Sequence, residues 1–207
     1  MRKLIVWNLI SLLLACPVFA AVTPQSAERF THLLGVSLAD GVDFNALAKQ
    51  FGASPVVQTD DAETPDSRVC YRTADGKETV EFFHGVINYG FALHAAASKD
   101  VHCPISKTIT TNNLKVSELS LGMQQAALGT LLGKPVSTAP DHLVYKFQYV
   151  HTLTDAQVAA KLAEARKNGY DSDKAEDLRN WNVDIYIQAG FKDDHLSSLV
   201  VDRVETN

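Results

Sequence analysis

The chain has 207 residues, 46% of them hydrophobic, with 24 acidic against 19 basic side chains and a net charge of −5. Its lysines and arginines are nowhere dense, which argues against a nucleic-acid partner. After the first twenty-one residues no apolar run is long enough to form a membrane-spanning helix, and what remains can build one domain or two small ones.

The first twenty residues have the three parts of an export signal. Arg2-Lys3 is followed by an apolar core from Leu4 to Ala15, and Val18-Phe19-Ala20 places small side chains before a cleavage point at Ala21. Leu13-Leu14-Ala15-Cys16 also looks like a lipobox, although Leu14 and Pro17 depart from its pattern. Simple cleavage, giving a periplasmic or secreted protein, is the favoured expectation. Lipidation of Cys16, giving an outer-membrane lipoprotein, is the alternative, and only then is a membrane a partner. Once the signal is gone, Cys70 and Cys103 remain, and an isolated pair in an oxidising compartment reads as a disulfide.

In chain order, Thr23-Pro24 starts a helix whose Ala27, Phe30, Leu33 and Leu34 share a face, with Gly35 closing it. Asp43 caps a second short helix, Phe44 to Phe51, ended by Gly52. A polar linker, 54–66, leads to three strands at 68–73, 77–84 and 89–96, the first two joined by a hairpin turn at Asp75-Gly76. A polar connector, 108–116, precedes a helix from Gln124 to Leu132 and a strand from Leu143 to Val150. Thr154 and Gln157 form a capping box for a helix ending near Asn168, with Leu153 and Val158 as its staple. Last come two strands of a hairpin, in which Trp181, Val183, Ile185 and Ile187 alternate with polar residues and Lys192 to His195 makes the turn.

One stretch has an echo. Leu38, Gly41, Ala46, Leu47 and Gly52 align without a gap on Leu119, Gly122, Ala127, Leu128 and Gly133. Each copy is a turn, a short helix and a glycine stop, followed by a strand. The expectation is an α+β fold of two tandem units, 21–107 and 108–207. Each unit is expected to pack short helices on a small antiparallel sheet, with a helical insertion at 154–180 interrupting the second.

The motif Leu-Gly-Met-x-x-x-Ala-Leu-x-x-x-Leu-Gly-Lys-Pro, Leu121 to Pro135, followed by a tyrosine-bearing strand and a terminal hairpin, resembles the unit of SmpA/OmlA-type small lipoproteins of the β-barrel assembly machine. Two such units in tandem resemble the fold of β-lactamase-inhibitor proteins. The resemblance implies a fold. The shared residues are scaffold, so it carries over no binding residue.

A search for chemistry finds little. His84, His94 and His102 lie on or beside one expected sheet, but no carboxylate or cysteine completes a metal set, and exposed strand histidines are the simpler reading. Asp171, Asp173 and Glu176 are similar to a calcium loop but put Glu176 where glycine is needed. No nucleophile elbow, zinc helix or phosphate loop is present. No cofactor or enzymatic activity is expected. The expected role is an exported, non-enzymatic binding or scaffold module for an envelope protein. An inhibitor or immunity protein that occludes an enzyme is the alternative. Candidate contact residues are Asp75, Phe82, Tyr89, Tyr186 and Asp193.

Overall fold

A computed structural model describes residues 22–58, 66–96, 102–167 and 179–206. The expected leader with Cys16, the segment 59–65 and the expected Asp171–Glu176 loop lie outside the described residues.

Eight strands make one sheet, where two small ones are expected. β3 (Val57–Gln58), β4 (Ser67–Arg72), β5 (Thr79–His84) and β6 (Asn88–His94) form one half. β7 (Ser137–Ala139), β8 (His142–Thr152), β9 (Asn180–Lys192) and β10 (His195–Thr206) form the other. The order is β3-β4-β5-β6-β10-β9-β8-β7, and every neighbour is antiparallel. Each half follows an eight-residue helix, α1 (Phe44–Phe51) or α2 (Gln125–Leu132), and the last strands of the two halves meet in the middle.

That central pairing has a reason in the side chains. Val69, Phe82, Phe91, Val201, Ile187 and Tyr145 are successive cross-strand partners, and so are Tyr71, Val80, Leu93, Leu199, Ala189 and Leu143. These two apolar rows cross six strands, and no member is more than 5% exposed. The period of two puts them all on one face, and splitting the sheet at β6–β10 would expose both rows. Phe82 is buried against Phe51 of α1 and Phe91 of β6.

The layer over this face comes from α1, α2 and two 3-10 helices (Gln25–Thr31 and Leu38–Asp40), which bring Phe30, Leu38, Leu47, Phe51, Leu128 and Leu132 into the same core. Asp43 caps α1 as expected, its carboxylate accepting from the amides of Asn45 and Ala46. Gly41 and Gly122, which lead into the two helices, both sit at φ +82°, where a side chain is strained.

Other expectations are corrected. The first helix is a 3-10 turn ending at Thr31. Gly35 then belongs to a two-residue hairpin, β1 (His32–Leu33) with β2 (Val36–Ser37), rather than to a helix cap. The connector at 108–116 is not merely polar, because Ile109, Leu114 and Val116 are core residues. α3 (Asp155–Lys167) forms as read, with Thr154 and Gln157 exchanging capping bonds and Leu153 and Val158 buried. The disulfide joins Cys70 to Cys103. No helix among the described residues is long and apolar enough to cross a membrane.

Candidate interaction surface

The alternation that fills the core leaves a second face. On it lie Arg68, Glu81, Phe83, His94, Asp202, Val200, Asp184, Tyr186, Gln188, Lys146 and Gln148, most of them partly exposed. Its charges are tied to one another. Arg68 donates twice to Asp66, at 3.0 and 2.8 Å, and its guanidinium stands 5.5 Å from the Phe83 ring centre. The Asp66 hydrogen bond raises the Arg68 pKa above its ordinary value. Lys146 reaches Asp184 at 3.0 Å and the Tyr186 ring at 5.2 Å, and the Asp184 bond raises its pKa likewise. The second Asp184 oxygen, Oδ1, is buried without a partner among the described residues.

Gly90 is what lets this face lie so close to the backbone. A Cβ there would sit 2.1 Å from the Phe83 ring and 2.7 Å from the Val201 carbonyl. The ring therefore lies against β6 at Gly90, with the Arg68 guanidinium close to it. Beside it Asn88 donates to Asp202 at 3.1 Å, yet burial pushes the Asp202 carboxyl up. A cleft of about 670 Å³ opens at one end of the face, between Arg68, Glu81, His94, Lys192 and Ser197. Such paired charges and aromatic faces can take hydrogen bonds and stacking from a partner surface.

A second polar group lies on the covered side. Arg203, only 3% exposed, donates to Glu28 at 3.0 Å and to Glu205, while the Tyr149 hydroxyl donates to the other Glu28 oxygen. Burial pulls the guanidinium pKa down, but the two carboxylates outweigh it and the net shift is upward. Tyr149 is pushed up to about 12, by burial first and then by Glu28. This cluster ties the first 3-10 helix to β8 and β10. A cavity of about 300 Å³ beside it is lined by His151, Lys161 and Asp40.

The expected contact residues are scattered by this geometry. Phe82 is fully buried core and is withdrawn as a contact. Tyr89 lies on the covered side against the Gly41 turn. Tyr186 lies on the open face. The Asp75 and Asp193 turns project from the same end of the sheet as the cleft. Asp75 also braces its own turn, accepting from Thr73 at 2.7 Å and from the Lys77 amide, and the Thr73 bond holds its carboxyl below the ordinary range. His84 and His94 have opposite strand parity at opposite ends of β5–β6, so the two cannot share one ion. The Glu28–Arg203 cluster escapes sequence reading. Its only signal is an arginine standing where the β10 alternation calls for an apolar residue.

Comparisons of the chain with protein-family models, with curated proteins and with solved structures find no match.

Proposed function

We propose that this chain is an exported bacterial envelope protein built from two tandem α+β units. It acts as a non-enzymatic protein-binding module, with the open sheet face as its contact surface. One observation carries the reading. Among the described residues the helices pack on one side of the eight-stranded sheet, and the other side holds Arg68, Phe83, Lys146, Asp184 and Tyr186 in an array of ion pairs and cation–ring contacts. A sheet face of that breadth reaches the area that specific protein interfaces need.

The tandem origin is supported by the like roles of aligned residues. Gly41 and Gly122 share one positive φ, Leu47 and Leu128 are core, and Gly52 and Gly133 both end their helices by donating four residues back. Export is supported by the leader and by a disulfide of the kind that persists in oxidising compartments.

The test is a photocross-linking residue placed at Gln188 on the open face, with Thr130 on α2 as control, in cells that make the protein. A discrete adduct from Gln188 alone, lost with Tyr186→Ala at unchanged stability, is expected. No adduct, or equal adducts from both positions, overturns the reading. The inhibitor alternative is favoured by one feature, the projection of the Asp75 and Asp193 turns from the cleft end. It predicts instead that adducts form at those turns and contain one enzyme.

A further inference from the structure

Among the described residues, β8 has an open edge beyond β7. Following the hydrogen bonds across the sheet fixes which residues point outward. Phe191 N–H donates to Asp141 and Leu153 N–H to Arg179, so the odd residues between them bond to β9. The even residues turn their N–H and C=O groups the other way. β7 covers only the start of that edge, pairing with His142 to Val144, and Val136 N–H donates to Val144. Beyond it Lys146, Gln148, Val150 and Thr152 aim their backbone groups out of the sheet, and among the described residues none of those groups has a backbone partner.

Sheets normally guard such an edge with a charge, a proline or a bulge. None of these operates here. Lys146, the one charge, is drawn over the open face to Asp184 and Tyr186. Gln148, Val150 and Thr152 are neutral, and Val150 is 55% exposed. α3 turns away after Leu153, where Lys161 stacks on the Trp181 ring on the covered side.

We propose that this edge pairs with the same edge of a second copy, β8 to β8 about a twofold axis at Tyr149, making one continuous sheet through a dimer. Two features select a second copy. The outward residues from Lys146, past the end of β7's cover at Val144, to Thr152, the last of β8, are centred on Tyr149. An antiparallel copy in that register sets Lys146 opposite Thr152 and Gln148 opposite Val150, so every outward group finds a partner and each pair exchanges two bonds. The second feature is charge. The chain carries −5 overall, but 142–153 contains no Asp or Glu, so two acidic molecules meet there without carboxylates facing each other. This pairing is independent of what the open face binds.

The mature protein tests it directly, by its mass in solution across concentration. The expected result is a monomer–dimer equilibrium. Gln148→Pro removes an outward amide and no bond to β9, so it should leave the fold and Tm intact and give only monomer. Val150→Lys restores an edge guard and should do the same if the proline variant is poorly folded. Register is read by oxidising a mixture of Gln148→Cys and Val150→Cys chains. Their Cα atoms would lie about 5.5 Å apart, within disulfide reach, so the mixture yields a covalent dimer. Each variant alone places its cysteines at the diagonal, about 7–8 Å apart, and should not cross-link. A wild-type chain that is monomeric up to its solubility limit overturns the proposal. So does a dimer that survives both edge variants, or open-ended aggregation in place of a dimer.

Discussion

Arg203 gives the sharpest test of the packing. It is a cation in the row that otherwise holds Val201 and Leu199, and it is 3% exposed. Truncation to alanine removes both of its carboxylate bonds at once. It leaves Glu28 and Glu205 facing each other across the vacated space, with Tyr149 still donating to Glu28. Breaking a buried pair from one side costs about 3–5 kcal/mol, because a desolvated charge is left behind. In a chain of this length that is a fall in Tm of roughly 10 °C. Urea unfolding at neutral pH measures it as a lower midpoint at unchanged m. The carboxylates identify the cause. Adding Glu28→Gln and Glu205→Gln to Arg203→Ala should recover much of the loss, since no charge is then stranded. Arg203→Lys should recover less, because an ammonium cannot fork to two carboxylates. A cost for Arg203→Ala of about 1 kcal/mol or less, as for a solvated pair, would refute the reasoning.

Four further outcomes are expected. Phe82→Ala should cost about 3–5 kcal/mol in the same unfolding assay, whereas Tyr186→Ala on the open face should change stability little. Loss of the disulfide, by Cys70→Ser with Cys103→Ser, should cost about 3–4 kcal/mol for a loop of 33 residues, read as a lower urea midpoint. Tyr149 has its folded pKa raised to about 12, so the stability linked to it is complete below the ordinary tyrosine pKa and is lost as pH rises towards 12. Tyr149→Phe should remove one late-titrating phenol from the ultraviolet titration and flatten that alkaline loss. Asp202 has its carboxyl raised by burial, so its ionisation opposes folding once pH exceeds the ordinary carboxylate value. Asp202→Asn should therefore raise Tm at neutral pH and not in acid.

Much of the fold is readable from local rules. Asp43 and Gly52 bound α1, Thr154 and Gln157 start α3, and the alternation from Trp181 to Ile187 fixes which side of β9 is core. What local rules do not give is how strands from distant stretches meet. Nothing in Phe91 or Val201 says that β6 lies beside β10, and two small sheets satisfy the same patterns. The missed strands β3 and β7 are two and three residues long, too short to show a period. Phe82 is readable as a strand aromatic but not as core, because β5 carries a phenylalanine on each side, Phe82 and Phe83, and only the layer above it decides. The first helix fails for a related reason. Its apolar spacing is real, but Leu34 and Gly35 take positive φ and turn the chain back as β1–β2.

The two faces differ in what they gain by their composition. The covered face is built for stability, and even its buried cation, Arg203, is matched by two carboxylates and a phenol. The open face holds Asp202 in a setting that opposes its charge, next to Asn88 and near Asp66, where an asparagine would fit with less conflict. It also keeps Gly90 in mid-strand, where glycine weakens a sheet, so that Phe83 can lie under Arg68. Neither choice serves folding. Residues that cost stability and shape a surface are those expected where a partner is recognised. If Asp202→Asn stabilises the chain yet abolishes the Gln188 adduct, the cost belongs to recognition. If it stabilises the chain and leaves the adduct unchanged, Asp202 is outside the contact and the open face must work through its aromatic half.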